Sequence, residues 1–362
     1  MESQAKLGTS LMVPSVKEIA KEQLVAIPPR YIRHDHDSSP VAHTSSSPQV
    51  PVIDMANLSA SQELMALELH KFHYACKDWG FFQVVNHGVS CALLEKVKLH
   101  TEKFFDLPME EKMKFWQKAG ELEGFGQHFV ASEEQKLEWA DLFYVVTLPT
   151  HLRKPHLFSN FPPSFRVALE AYSEEVQRIA NKIFELVAKT LGMKPDEMKD
   201  LAEEGWQAMR MNYYPPCPEP DLVIGLKPHS DATGLTILHQ LNDVEGLQIK
   251  KDGMWIPVKP IPNAFIINIG DMLEIVTNGT YRSIEHRATI SSSKERLSIA
   301  TFHNPKLDGE LGVAGSLVTP ETPPVFKRMC VSDYFKGYFS RELHGKSFIE
   351  VLRIPNHQAQ PN

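Results

Sequence analysis

Two histidines and one aspartate in the second half of the chain have the types and spacing of metal ligands. His229 and Asp231 are two residues apart, and on an extended strand this spacing points both side chains to the same face. On a later predicted strand, His286 shares its face with the apolar Ile284 and Ala288. Two imidazoles and one carboxylate make a facial triad with open positions, the ligand set of non-haem iron(II) oxygenases. These residues therefore predict an iron site in a strand-rich core.

Other interpretations of these histidines are open. The chain has 16 histidines, and a lone histidine is usually a structural or surface residue, so the prediction depends on the three residues together. A similar set of letters, His34-Asp-His36-Asp37, lies in a Ser- and Pro-rich stretch without an apolar wall, and we interpret it as solvated charge. Zinc binds such ligands more tightly than iron(II), so a zinc protein or a non-catalytic metal-binding protein is an alternative.

A candidate anion site follows on the next predicted strand. Arg296 and Ser298 are two residues apart and so share one strand face. An arginine that faces the interior would be an uncompensated buried charge unless an anion met it. Its planar guanidinium suits a carboxylate, and Ser298 adds a second donor, so a dicarboxylate reaching to the metal is the simplest partner. The alternative is an arginine paired with a protein acid such as Glu274 or Glu295.

Two further polar residues lie on an earlier predicted strand. Asn212 and Tyr214 share one strand face by the same alternation, so both could donate hydrogen bonds to the same anion. The alternative is a polar pair next to the turn that Pro215-Pro216 begins. We expect this pair to lie beside the arginine and the serine.

Helical patterns come first along the chain, and short strands follow. Apolar residues recur at helical spacing in 16–24, 63–79, 93–105 and 173–191, whereas short β-branched and aromatic runs begin at Met209. This order predicts an α+β fold, with a double-stranded β-helix (jelly-roll, cupin-like) core and a helix-rich N-terminal region. The predicted divisions are an N-terminal helix and flexible linker (1–50), a helix-rich region (51–205), the jelly-roll core (206–310) and a C-terminal strand and helix lid with a tail (311–362).

The composition disfavours several classes of partner. A net charge of -7 and a pI near 6.2 argue against a protein that binds nucleic-acid phosphates. The chain has no run of 18 apolar residues and no signal-peptide core, so we expect no membrane span and a cytoplasmic location. Four widely spaced cysteines without a C-x-x-C pair fit a reducing compartment. We expect a monomer that acts on a small molecule.

The stretches around the candidate residues carry longer motifs. MNYYPPCP, LKPHSDATGLTILHQ, FIINIGDMLEIVTNGTYRSIEHRA and ERLSIATFHNP lie in the second half, and DWGFFQVVNHGV lies at 78–89. These motifs are similar to those of the plant 2-oxoglutarate- and Fe(II)-dependent dioxygenases, over roughly residues 12–352. EGFGQHFV and SEEQKLEWADLF resemble the senescence-related-gene-like branch, which includes thebaine and codeine O-demethylases and a norcoclaurine-synthase-like protein.

The resemblance implies an activity and its cofactors. It implies a dioxygenase that uses iron(II), 2-oxoglutarate and O2, with ascorbate as reductant. The reaction would be hydroxylation or O-demethylation of an alkaloid, phenolic or terpenoid specialised metabolite, with release of succinate and CO2. A metal-independent condensing enzyme on the same fold is an alternative, against which the complete triad counts. The implied iron ligands are His229, Asp231 and His286, and the implied 2-oxoglutarate residues are Arg296, Ser298, Asn212 and Tyr214.

The resemblance also points to substrate contacts. In relatives these come from the loop after the N-terminal strands, from the strand face beside the 2-oxoglutarate residues, and from a C-terminal helix. The matching positions in this chain are Phe125, Leu142, Phe302 and Phe335. The alternative for each is ordinary core packing. Aromatic walls of this kind would suit a mid-sized, ring-containing substrate.

Overall fold

A computed structural model gives the helices and strands of the chain. The described residues are 10–22, 26–33, 39–42, 48–118, 121–127, 130, 132–339 and 345–355. The α-helices are α1 (Val16–Lys21), α2 (Gln62–Tyr74), α3 (Cys91–Asp106), α4 (Met109–Met113), α5 (Pro155–Asn160), α6 (Pro163–Leu191), α7 (Lys199–Ala202), α8 (Asp271–Val276), α9 (Val331–Phe339) and α10 (Ser347–Leu352). The strands are β1 (Val52–Asp54), β2 (Phe81–Val85), β3 (Gly124–Phe125), β4 (Asp141–Leu148), β5 (Trp206–Tyr214), β6 (Leu226–His229), β7 (Leu235–Gln240), β8 (Leu247–Lys251), β9 (Met254–Pro257), β10 (Phe265–Ile269), β11 (His286–Ala288), β12 (Arg296–Asn304), β13 (Glu310–Leu311) and β14 (Met329–Cys330).

Two sheets form the core of the molecule. The main sheet has eight strands in the order β1-β2-β10-β7-β12-β5-β4-β3, and the smaller sheet has four in the order β6-β11-β8-β9. The strands β1 and β2 pair in parallel, whereas the site strands β5, β7 and β12 pair antiparallel with their neighbours. Residues of both sheets line the pockets described below. The predicted α+β fold with a jelly-roll core is confirmed.

The strand β12 is central to the main sheet, and its nine residues are all buried. One face carries Leu297 and Ile299, which belong to the main apolar core. The other face carries Arg296, Ser298 and Phe302, which line a pocket. Because successive side chains point to opposite faces, one face of the strand packs in the core and the other lines the pocket. Near the start of the strand, every second residue is polar and belongs to the pocket face.

The long helix α6 provides much of that core. Leu169, Val176 and Ile183 lie on its buried stripe, as expected for an amphipathic helix. The prediction began this helix at residue 173, but it begins at Pro163, because proline is well suited to the first helical position. It ends at Gly192, whose φ of 64° is the left-handed conformation of a helix C-cap. Within the described part of the chain, no helix has the length and apolarity needed to cross a membrane.

The N-terminal segment packs on the barrel. The helix α1 begins after Ser15, as predicted, and the Asp141 carboxylate on β4 accepts hydrogen bonds from Ser15 Oγ (2.5 Å) and from the backbone amide of Val16 (2.7 Å). Within the predicted linker, the amide of Ala42 donates to the carbonyl of Trp255 on β9 (2.9 Å). The stretch that contains His34-Asp-His36-Asp37 lies outside the described residues. The four-part division of the chain stays a prediction.

Some elements differ from the predicted ones. The helix predicted at 63–79 changes after Tyr74 into a π-helical turn at Ala75–Trp79, which ends at Gly80 with φ 61°. The strand around His286 is only three residues long. The helix α8 was not predicted, because its six residues are too few to show a helical period.

Candidate active site

The three predicted metal ligands lie together between β6 and β11. His229 and His286 are directly opposite each other in the antiparallel pairing of these strands, and Asp231 follows two residues after the end of β6. The Asp231 Oδ1 atom is 3.4 Å from His229 Nε2 and 3.7 Å from His286 Nε2. One ligand atom from each residue lies within 4.8 Å of the others, and all three residues are buried. This is a closed cluster of two imidazoles and one carboxylate.

Hydrogen bonds orient each ligand toward the centre of the cluster. The Nδ1 atoms of His229 and His286 lie 2.8 and 3.1 Å from backbone carbonyls two residues earlier, so each Nε2 is left as a lone-pair donor to a metal. The Asp231 Oδ2 atom accepts hydrogen bonds from Thr236 Oγ1 (2.6 Å) and Asn268 Nδ2 (2.8 Å). Its Oδ1 atom therefore faces the two imidazoles. The donor set and its orientation fit iron(II).

The electrostatics of the cluster favour the ligating protonation states. Burial raises the pKa of the Asp231 carboxyl, but His286 and the hydrogen bond with His229 outweigh this effect, so the pKa lies well below its usual value. Burial and the neighbouring His229 lower the pKa of His286 to about 4, against the opposing charge of Asp231. A neutral imidazole and an ionised carboxylate are the forms that bind metal.

The four predicted anion-binding residues form two cross-strand pairs. In the register of β12 and β5, Arg296 lies opposite Tyr214 and Ser298 lies opposite Asn212. The Asn212 Nδ2 atom donates to Ser298 Oγ (3.2 Å). The Arg296 Nη2 atom donates to Gln240 Oε1 (2.9 Å), and the guanidinium lies 5.3 Å from the ring centre of Tyr214.

Arg296 has no carboxylate partner among the described residues. The acids considered as partners are used elsewhere: Glu295 accepts from Tyr213 Oη (2.6 Å), and Glu274 accepts from Lys346 Nζ (2.7 Å). The Arg296 Nε atom is buried without a hydrogen-bond partner in the described structure, and burial lowers the pKa of this guanidinium. The arginine is thus a buried cation that lacks an anion, which is the condition for an anion-binding role.

One pocket, which we call the anion pocket, contains all four of these residues together with two of the metal ligands. It has about 440 Å³ of empty space, and its lining includes Asp231 and His286 as well as Arg296 and Ser298. A small dicarboxylate bound there would have one end near the metal ligands and the other end near the arginine.

A second pocket, which we call the aromatic pocket, is lined by the metal ligands His229 and Asp231. It has about 580 Å³ of empty space and shares Arg210, Asp231 and Phe302 with the anion pocket. Phe335, on α9, also lines it. Its other aromatic side chains are Tyr144, Trp206, Tyr338 and Phe339.

The other two predicted substrate residues lie elsewhere. Leu142 lines a neighbouring pocket of about 410 Å³, which also contains Arg210. Phe125 is 1% exposed, and its ring packs edge-on against Trp116 and Phe104 in the core. A substrate role for these two residues stays a prediction.

Sequence reasoning missed several residues of the site. Arg210 lines all three pockets, and its position two residues before Asn212 on the same strand face was the signal that could have identified it. Thr236 and Asn268 hold Asp231 from separate strands. No local pattern could have identified these two, because their roles depend on the pairing of β7 with β10.

Comparison with known proteins agrees with this geometry. Residues 205–305 match the 2OG-Fe(II) oxygenase superfamily, and residues 50–164 match the N-terminal region of the non-haem dioxygenases of morphine synthesis. The chain is 55% identical to oxoglutarate-dependent flavonoid 7-O-demethylase 1 of Ocimum basilicum (98% of this chain, 94% of the relative). It is 52% identical to codeine O-demethylase of Papaver somniferum (96% of this chain, 98% of the relative).

The solved structure of JOX2 in complex with 2OG, Fe and JA is 34% identical, with a TM-score of 0.86 over 96% of this chain and 100% of that chain. The resemblance to the plant dioxygenases and to their O-demethylase branch is therefore confirmed. The chain belongs to the 2OG-Fe(II) oxygenase superfamily and is a 2-oxoglutarate-dependent dioxygenase.

Proposed function

We propose that this dioxygenase removes a methyl group from a methoxylated phenolic compound of the flavonoid class. The observation that carries the proposal is that metal ligands line both the anion pocket (Asp231 and His286) and the aromatic pocket (His229 and Asp231). This arrangement supports a cosubstrate in the anion pocket and a ring-containing substrate in the aromatic pocket. The relatives named as a flavonoid 7-O-demethylase and a codeine O-demethylase support demethylation as the reaction.

In the proposed site, His229, Asp231 and His286 hold iron(II). Arg296 and Ser298 bind the far carboxylate of 2-oxoglutarate. Asn212 and Tyr214 assist in binding it. When bound, iron(II) with 2-oxoglutarate and O2 supplies the oxidation of a substrate C–H bond, with release of succinate and CO2. The buried arginine orients the cosubstrate because a guanidinium makes two parallel hydrogen bonds to a carboxylate.

The proposed substrate is oxidised at its methoxy carbon. One oxygen atom of O2 enters the methyl C–H bond and the other enters succinate, so the methoxy group becomes a hemiacetal. Loss of formaldehyde from the hemiacetal leaves the free phenol. Phe302 and Phe335 form apolar walls that would hold the ring and exclude water, which protects the oxidation from side reactions.

The charge of the aromatic pocket favours a phenolic over an amine. Among the described lining residues, Asp231 is the acid and Arg210 is the cation, with the guanidinium 5.5 Å from the ring centre of Phe302. Asp231 is already committed to the metal. A protonated alkaloid amine would therefore meet a positive charge without a compensating carboxylate, whereas a neutral phenol or a phenolate would not.

A substrate panel tests the proposal. Succinate and formaldehyde are measured with 7-methoxyflavones, methoxylated alkaloids and terpenoids, under iron(II), 2-oxoglutarate and O2. We expect equal amounts of the two products with at least one methoxyflavone, lower rates with cationic alkaloids, and neither product from the Asp231→Ala variant. Succinate without formaldehyde across all methoxylated compounds would point to hydroxylation instead. A preference for the amines would contradict the flavonoid assignment.

The remaining expectations concern the setting of the enzyme. We infer that it works in a reducing compartment such as the cytoplasm, which the four free cysteines, two of them buried, support. Ascorbate as reductant and a monomeric state belong to the same proposal.

A further inference from the structure

The aromatic pocket contains buried polar atoms that the proposed reaction does not use. Asn304, the last residue of β12, is 1% exposed and lines this pocket. Neither its Nδ2 nor its Oδ1 atom has a hydrogen-bond partner among the described residues, and the same holds for the Nε1 atom of Trp206, another lining residue. Native proteins satisfy most of their buried polar groups, so three unpaired atoms in one pocket call for a ligand that pairs with them.

The register of the strands places these atoms on the substrate side of the metal ligands. Arg296 and Asn304 lie on the same face of β12, eight residues apart. Phe302 lies opposite Thr236, the residue that holds Asp231, so the metal ligands lie near this level of the sheet. Asn304 is two residues further from Arg296, about 7 Å along the strand, and it lies directly opposite Trp206.

The chemistry of these atoms defines what they can recognise. A side-chain amide presents a donor and an acceptor next to each other, and an indole adds a second donor. Two adjacent hydroxyls on an aromatic ring can accept from the amide NH2 and donate to the amide oxygen at the same time. The ring itself would pack against Phe335, whose centre is 5.6 Å from that of Trp206 and which stacks on Phe339 at 5.8 Å.

We infer that Asn304, with Trp206, is a specificity-determining residue that binds a hydroxylated ring of the substrate, at the end of the molecule away from the methyl group that is oxidised. The inference rests on the proposed function, because it names the part of the phenolic substrate that the pocket selects. It requires no charge on the ligand, since each of the three atoms forms a neutral hydrogen bond.

Binding to the loaded enzyme tests the inference without turnover. The full chain, with iron(II) and 2-oxoglutarate under nitrogen, is titrated calorimetrically with two 7-methoxyflavones that differ only in the presence of 3′,4′-hydroxyls. We expect the wild type to bind the dihydroxy compound more tightly. Asn304→Leu keeps the size of the side chain and removes both polar atoms. The affinity for the dihydroxy compound should therefore fall by roughly three- to tenfold for each lost hydrogen bond. The unsubstituted compound should bind as before or more tightly.

Two further variants sharpen the comparison. Trp206→Phe removes one donor and should reduce the preference in part. Thr301→Val alters the opposite face of the same strand, where Thr301 is fully buried, and should leave the preference unchanged. Equal weakening of both flavones in Asn304→Leu would overturn the inference, because it would assign the residue a structural or water-binding role.

The outcomes separate this inference from the proposed function. A wild type that binds neither flavone, or both equally, also overturns the inference. Formaldehyde release from methoxylated substrates is measured in parallel. If formaldehyde is released but Asn304→Leu still prefers the dihydroxy flavone, the demethylase proposal stands and the ring-binding inference is overturned. Loss of the preference without formaldehyde release from any substrate supports the ring-binding role and contradicts demethylation.

Discussion

At the scale of single residues, the candidate site contains a buried cation, Arg296, with no carboxylate partner in the described part of the chain. Arg296 is 3% exposed, and its guanidinium donates a hydrogen bond to the neutral Oε1 of Gln240. A structural arginine at this depth would be paired with a carboxylate, since an unpaired buried charge is costly. This environment supports the proposed role of Arg296, which is to bind a carboxylate that comes from solution.

The first prediction concerns this arginine. Arg296→Lys keeps the charge but loses the planar pair of donors, so it should weaken 2-oxoglutarate binding by about 1.5–3 kcal/mol, or roughly ten- to a hundredfold. The apparent KM for 2-oxoglutarate should rise, while that for the organic substrate changes little. Arg178→Lys, on the exposed side of α6, serves as the control. Equal changes in both KM values would indicate a structural arginine.

Local alternation made part of the site predictable at this scale. Arg296 with Ser298, and Asn212 with Tyr214, were predicted because residues two apart on a strand share a face. Their side-chain partners could not be predicted. Gln240 reaches Arg296 only because β7 and β12 are neighbours in the sheet, and such pairings between distant segments leave no trace in the local sequence.

At the scale of elements, the orientation of His286 depends on the contact between the π-helical turn that ends at Gly80 and the segment before β11. Gly80 ends the π-helical turn in a left-handed conformation, and a Cβ atom there would lie 2.1 Å from the Arg282 carbonyl oxygen and 2.5 Å from Ile284 Cγ1. The carbonyl of Ile284 lies 3.1 Å from His286 Nδ1 and so orients that ligand. The glycine thus allows the segment that contains Arg282 and Ile284 to approach the helix end closely, and this segment orients the His286 imidazole.

The second prediction compares two glycines with nearly the same backbone conformation. Gly80→Ala should destabilise the fold by about 2–5 kcal/mol, from the left-handed conformation and the clash together, and should weaken iron binding by displacing Ile284. Gly192→Ala is the matched control, because its φ is 64° with no atom within 4 Å of the added Cβ. It should cost only about 1–2 kcal/mol. Thermal unfolding and iron titration measure the two effects, and equal losses in both variants would contradict the clash.

Element boundaries were predictable where the pattern had a clear period. The helix predicted at 93–105 is α3, which spans Cys91–Asp106. The helix α8 was missed because its six residues make fewer than two turns, too few for a 3.6-residue period to stand out. The strand β11 was predicted too long, since the alternation of side chains continues beyond the three residues that are paired.

At the scale of the whole molecule, the N-terminal segment is tied to the sheet that carries the site. Tyr31 packs edge-on against Trp139, with ring centres 5.2 Å apart, and Asp141 receives the N-terminus of α1. The residue after Asp141, Leu142, lies opposite Asn212 in the pairing of β4 and β5. The segment predicted as an N-terminal helix and flexible linker therefore contacts the strand that pairs with β5 of the anion pocket.

The last prediction tests how firmly this segment is held. Asp141 is buried, and its two carboxylate oxygens accept from Ser15 Oγ and from the amides of Val16 and Lys17. In Asp141→Asn, the side-chain NH2 group faces a backbone donor, so one buried N–H loses its acceptor at a cost of about 1–3 kcal/mol. We expect faster tryptic cleavage within the first 33 residues while iron binding and the barrel remain intact.

The control is Asp106→Asn, because Asp106 pairs with the side chain of Lys17 from the solvent side and is 70% exposed. Because the Asp106 carboxylate is solvated, its loss should change the cleavage rate less than the loss of an acceptor by a buried N–H. Cleavage at the wild-type rate in Asp141→Asn would mean that apolar packing, rather than the buried carboxylate, holds the segment on the barrel.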